Sequence, residues 1–155
     1  MYLPELTALQ GWYEGSSKLI AVGWLEPGHD YQCGEIDTEF VRQLVELLID
    51  PWQPAVAMGR HACGFCRFTG GPSVFECGTI GSAVQLGVSN LWLPADGFLY
   101  VAPSLVLHYM DAHGYSPPLE FQRAVIACPP MRSMAYLKAI IKNGPQGIVP
   151  KRRSD

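Results

Sequence analysis

The sequence predicts an α+β fold: a small antiparallel sheet with about four helices. Three observations predict it. Runs of branched and aromatic residues recur at strand length, in 18–25, 91–93 and 98–101. Four later stretches place apolar residues at helical spacing. Gly- and Pro-rich punctuation separates these stretches, with no internal repeat and no low-complexity segment. Of the 155 residues, 48% are apolar and only 16% charged, which excludes a disordered chain and allows one domain over 1–155 to bury a real core.

Taken in order, residues 1–17 read as a peripheral segment. Lys18-Leu19-Ile20-Ala21-Val22-Gly23-Trp24-Leu25 reads as a strand, broken by Glu26-Pro27-Gly28-His29-Asp30. Asp37 is placed to cap a helix over 38–49, where Phe40, Val41, Leu44, Val45, Leu47 and Leu48 share one face and Pro51 ends it. Short strands are expected near 73–76 and 82–88. Leu91-Trp92-Leu93 and Phe98-Leu99-Tyr100-Val101, joined by Pro94-Ala95-Asp96-Gly97, form a predicted β-hairpin. Pro103 suits the first turn of a following helix that turns Leu105, Val106 and Tyr109 inward and ends at Gly114. Ser116-Pro117-Pro118 opens a third helix, with Phe121, Ala124, Val125 and Cys128 on one side. Ser133 caps a fourth through about Lys142, with Tyr136, Leu137, Ile140 and Ile141 inward and Gly144 as the stop. Residues 145–155 read as a flexible basic tail. Trp24, Trp52 and Trp92 read as core.

The chemistry concentrates in Gly59-Arg60-His61-Ala62-Cys63-Gly64-Phe65-Cys66 and in His108-Tyr109-Met110-Asp111-Ala112-His113. Cys-x2-Cys lets two thiols turn back on one ion, and with two imidazoles it supplies a tetrahedral zinc set: Cys63, Cys66, His108 and His113. A hairpin followed by a helix carrying the histidines resembles the ββα element of a zinc finger. The 41 residues between Cys66 and His108, against roughly 12 in a free-standing finger, embed the site in a larger fold. Positions five apart on an ideal helix differ by about 140°, so His113 must sit in a frayed last turn. His61 competes as a ligand. Two other readings stay open: the cysteines are small buried residues with backbone-satisfied histidines, or Cys63-Gly64-Phe65-Cys66 is a redox pair. A redox pair needs a strand at 54–58 and a helix starting at Cys63, and Arg67-Phe68-Thr69-Gly70-Gly71-Pro72 is a poor helix.

Three stretches carry a resemblance. They are Ala21-Val22-Gly23-Trp24-Leu25-Glu26-Pro27-Gly28-His29, the Gly59–Cys66 segment, and Tyr100 to Pro118 continuing to Phe121 and Ala124-Val125. Together they resemble an uncharacterised family of small bacterial proteins. In that family the His-x-Cys-x2-Cys and His-Tyr-x3-His segments occur together, which implies a shared metal site and keeps His61 within the pattern. The resemblance further implies a short connection between the two segments, so that residues around 69–89, with Cys77, belong to an insertion. It implies no activity.

A net charge of −3 gives no electrostatic case for nucleic acid. Five cysteines with no secretory signal fit a reducing compartment, and the expected location is cytoplasmic, away from the membrane. Size and acidity suit a non-enzymatic module that binds another protein, in the manner of an immunity protein or antitoxin. The alternatives are a Zn2+-dependent hydrolase using Cys63, Cys66, one histidine and a water, and a finger-like nucleic-acid binder. Against the first, no carboxylate is placed as general base, since Asp111 faces away. Against the second, the helix carries little positive charge.

Overall fold

The structure, a computed structural model, describes residues 1–9, 16–54, 61–77 and 82–149. Its elements are a short 3-10 turn (Ser16–Lys18), β1 (Leu19–Ala21), α1 (Thr38–Leu48), β2 (Val74–Cys77), β3 (Ser82–Gln85), β4 (Asn90–Pro94), β5 (Leu99–Pro103), α2 (Val106–His113), α3 (Leu119–Ala127) and α4 (Met134–Asn143). The α+β class and the four helices are as the sequence predicts.

The sheet is mixed rather than purely antiparallel. It runs β1-β5-β4, with β4 and β5 the predicted hairpin and β1 lying parallel to β5, Leu19 against Leu99 and Ala21 against Val101. β2 and β3 form a separate antiparallel pair. Central β5 is buried at all five positions, so its Leu-Tyr-Val-Ala-Pro run needs no polar alternation. Residues 3–9 run along β1: Leu9 N–H donates to the Leu19 carbonyl and Ala21 N–H to that of Thr7 (2.9 and 2.8 Å).

Four local expectations need correction. The 18–25 strand shrinks to three residues, because Gly23 turns to a positive φ and packs against Val106, where a Cβ would come within 3.0 Å. Pro103 ends β5 opposite Asn90 instead of opening α2. Ser104 N–H then bonds the Ser89 carbonyl (3.0 Å), carrying the ladder one residue past the proline and delaying the helix to Val106. Asp37 precedes α1 in extended conformation, but its side chain makes no capping bond. Ile141 faces solvent, 58% exposed, while Tyr136 and Ile140 carry the inner face of α4. Residues 55–58 of the strand a redox pair would need, residues 150–155 of the expected 145–155 tail and the Cys77 side chain lie outside the described residues.

The helices are tied to the sheet by aromatic residues. Phe40 of α1 meets Phe121 of α3 edge-on at 6.3 Å, and Tyr100 of β5 meets Phe121 at 5.6 Å. The Tyr136 hydroxyl donates to the Trp92 carbonyl at 2.6 Å, pinning α4 to β4. Trp24 and Trp92 are core, and Trp52 packs edge-on against Trp92 and Tyr136. Cys128, at the end of α3, is buried, and burial pushes its thiol up to about 12.

Two predictions follow from these contacts. Ser133 accepts the Tyr136 N–H, so Ser133→Ala lowers stability by about 1 kcal/mol in urea melts, whereas Asp37→Ala, which loses no such bond, changes it by well under half of that. An unfolded thiol ionises near pH 8.5, and the folded one resists ionisation until about 12. The contribution of Cys128 is therefore fully present below about pH 8.5 and is lost as pH rises toward 12; midpoints measured from pH 7 to 10.5 fall less in Cys128→Ala than in the wild type.

Candidate metal centre

The cysteine pair sits in a tight knuckle. Cys63 N–H donates to the Gly70 carbonyl (2.7 Å), Cys66 N–H to Cys63 (3.3 Å) and Gly70 N–H to Cys66 (2.8 Å). These bonds fold 63–70 on itself and turn both thiols to one side. No helix begins at Cys63, so the knuckle lacks the N-terminal dipole a redox pair uses to stabilise a thiolate. Gly64 fits closely over Pro27, where a Cβ would approach Cδ to 2.9 Å. The knuckle is moored to the second hairpin by His61 N–H on the Gly87 carbonyl (2.7 Å) and by Leu86 N–H on Ser73 (2.9 Å). Gly87 in turn donates to Ser104 Oγ (2.9 Å), a fully buried hydroxyl at the junction of β5 and α2.

α2 brings the histidines. Gly114 closes the helix in left-handed conformation, with its N–H on the Tyr109 carbonyl five residues back. Tyr115 N–H reaches the same carbonyl at 3.1 Å. A turn closed this way takes more residues per revolution than an α turn. A wider closing turn lessens the angular mismatch of His-x4-His, and His113 is the last residue of α2 rather than part of a frayed turn. His108 is buried and His113 half-buried.

Cys63, Cys66, His108 and His113 converge, each offering a ligand atom, and the four atoms lie within 4.8 Å of one another. Cys63 Sγ is 3.5 Å from His113 Nε2; Cys66 Sγ is 3.3 Å from His108 Nε2 and 3.6 Å from His113 Nε2. A tetrahedral ion with sulfur at about 2.3 Å and nitrogen at about 2.0–2.1 Å places each sulfur about 3.5 Å from each nitrogen. These three of the four sulfur–nitrogen edges match that tetrahedron, so the cluster could hold a metal ion. His61 stands outside it, and Asp111 points to solvent. Without an ion, burial pushes the Cys63 thiol up and the His108 imidazole down, so both are neutral. A divalent cation reverses this for the thiols, which must ionise to bind it, and uses the imidazole as it stands.

Several residues around the cluster had escaped the sequence reading. Phe65, inside the knuckle, packs on the His113 ring at 5.1 Å and edge-on to Tyr31 and Tyr109 (5.7 and 6.1 Å). The Tyr31 hydroxyl donates to the His113 carbonyl at 2.8 Å, bracing the last turn of α2. Tyr115 is fully buried and donates its hydroxyl to Glu5, whose other oxygen accepts the Gly23 N–H. Gly71 closes the site: at positive φ, its Cβ would stand 3.0 Å from Cys63 Cβ and 3.4 Å from His108 Nε2. Only the Gly70-Gly71 pair left a trace in the sequence, as a turn signal just after the cysteines. The aromatic and carboxylate braces act over tens of residues and have no local signature.

A family match over residues 1–126, which takes in all four cluster residues, decides the kinship of the chain. The chain belongs to the family described as Domain of unknown function (DUF7919). No curated protein and no solved structure matches it. The DUF7919 match includes the β2–β3 hairpin, stops before α4, and covers both halves of the cluster. Among the described residues, no helix is long and apolar enough to cross a membrane.

The finger likeness is loose. β4, β5 and α2 do follow one another as ββα, but β5 is the central strand of a larger sheet and a second hairpin separates it from the knuckle. Gly71→Ala tests how tightly the site is closed. It adds a methyl against Cys63 and His108 as well as backbone strain, and lowers stability by about 1–3 kcal/mol. Gly97→Ala has a similar φ but nothing within 4 Å, so it loses only the strain component. Equal falls in Tm for the two variants would mean that crowding of the site contributes nothing.

Proposed function

We propose that Cys63, Cys66, His108 and His113 bind one Zn2+ as a closed structural site, and that the protein is a non-enzymatic interaction module whose surface this ion holds in shape. The observation that carries it is the composition and closure of the cluster: two thiols and two imidazoles, mutually within 4.8 Å. Four protein ligands complete a tetrahedron and leave no position for an activated water. Among the described residues, no carboxylate joins the cluster to serve as a general base. Soft sulfur with imidazole nitrogen selects zinc over magnesium or calcium, which take oxygen. An immunity- or antitoxin-like role, masking a partner protein, is supported by the domain's small size and its net charge of −3.

The ion joins two distant parts of the chain, the knuckle and the end of α2. Apparent binding free energies for structural zinc in small peptides reach about 10–16 kcal/mol, comparable with the whole stability of a domain. Here α1, α3 and α4 pack on β4 and β5 through their own apolar faces, so metal loss loosens the knuckle more than the core.

Elemental analysis of the purified protein is expected to give one zinc per chain. X-ray absorption is expected to show two sulfurs at about 2.3 Å and two nitrogens at about 2.0–2.1 Å. A strong chelator should lower Tm and raise amide exchange across 61–73 while α1 and α4 stay protected. Three protein ligands plus a light oxygen atom would replace this reading with a catalytic one. Metal-free protein with an unchanged Tm would remove it.

A further inference from the structure

Charge is distributed unevenly along the chain. Residues 133–155 carry five Lys and Arg against one Asp, net +4, while residues 1–132 carry six against thirteen Asp and Glu, net −7. The basic segment lies wholly beyond the family match, which ends at 126.

α4 begins that segment. It buries Tyr136 and Ile140 and turns Met134 (65% exposed), Lys138, Ile141 (58% exposed) and Lys142 outward, with no acidic residue in the helix. Positions 134, 138, 141 and 142 fall on one helical face. Past Gly144 the chain folds back along the helix end. Gly144 is wedged against the Ile140 carbonyl, Leu99 and Ile148, where a Cβ would come within 2.8, 3.0 and 3.3 Å. This close packing fixes the wall of an open groove of about 470 Å3 lined by Lys18, Ile141, Lys142, Pro145, Ile148 and Val149. Its lining is mostly apolar and also carries Lys18, Lys142 and Gln146. Neither lysine belongs to an ion pair among the described residues. Two residues after Val149 the sequence enters Lys151-Arg152-Arg153.

We propose that this groove and the outer face of α4 dock an acidic segment of a partner protein that carries large apolar side chains. This names the partner's chemistry for the interaction module proposed above and rests on that reading. Charge complementarity selects the acidic segment: Lys18 and Lys142 in the lining, outside any ion pair among the described residues, and exposed Lys138 one turn before Lys142 supply the cations. Ile141 and Val149 supply an apolar surface that charge alone would not need. The Lys151-Arg152-Arg153 sequence has the same sign as these lysines and offers them no complementary charge. Nucleic acid finds no aromatic ring in the groove on which to stack a base. A flat bilayer does not fill a concavity.

The test uses the full-length protein as purified and a fluorescein-labelled peptide of about twelve residues, rich in Asp and Glu and punctuated by Leu. It is expected to bind at least about tenfold tighter than polyglutamate of equal length, and to weaken as salt rises. The double variant Lys18→Glu/Lys142→Glu and the single variant Ile141→Asp each weaken it about tenfold, while Arg67→Glu, a charge reversal on the knuckle, leaves it unchanged. Equal affinity for polyglutamate, tighter binding of an oligo-dT or of phosphatidylserine vesicles, wild-type binding by the double variant, or no peptide binding would each overturn the proposal. Zinc content is measured on every variant. Full zinc occupancy without peptide binding sinks the docking surface alone, and absent zinc in the wild type sinks the metal reading.

Discussion

The carbonyl of Tyr109 is the point on which the candidate centre turns. It accepts two N–H groups, from Gly114 and Tyr115, at the end of α2. An ordinary α turn would leave His108 and His113 on different sides of the helix. Sharing one acceptor widens the last turn, and the left-handed Gly114 lets the chain leave without a clashing Cβ. The remaining features of the site serve that turn. Tyr31 holds the His113 carbonyl, Phe65 supports the His113 ring, and Gly71 leaves room for the imidazole of His108.

The second constraint is where the knuckle is tied. It does not hang from the sheet as the tip of a finger does. Backbone bonds from His61 and Ser73 reach the β3 end, and Gly87 reaches Ser104 where β5 becomes α2. Thiols and imidazoles from parts of the chain more than forty residues apart therefore approach each other through a relay of short hydrogen bonds, with Ser104 as its buried middle member. The sulfur–nitrogen edges of 3.3–3.6 Å are the outcome of that relay.

Much of this was legible in the sequence where the signal is local. α1 could be read because Phe40, Leu44, Val45, Leu47 and Leu48 repeat at helical spacing and Pro51 follows. The four cluster residues could be read because sulfur and imidazole at metal spacing have few other uses. Pro103 was misplaced because a proline gives the same local signal at the end of a strand and at the start of a helix. The choice hung on whether Ser104 pairs with Ser89, which is a matter of sheet register. Ile141 was misplaced because Leu137, Ile140 and Ile141 make an apolar stripe wider than the sheet can cover. The parallel pairing of β1 with β5 joins residues about eighty apart and leaves no mark in either segment. His61 could not be set aside by pattern alone; its backbone bond to Gly87 draws it toward the hairpin and away from the cluster.

Glu5 joins Gly23 and Tyr115, a partner 110 positions downstream, through the two oxygens of one carboxylate. The buried phenol of Tyr115, two residues after the helix that carries both imidazoles, has its polar end answered by Glu5. Loss of the Glu5 carboxylate would thus leave that hydroxyl stranded in an apolar surround. The damage would surface just past α2, so the segment around Glu5 acts as a latch on a distant helix end.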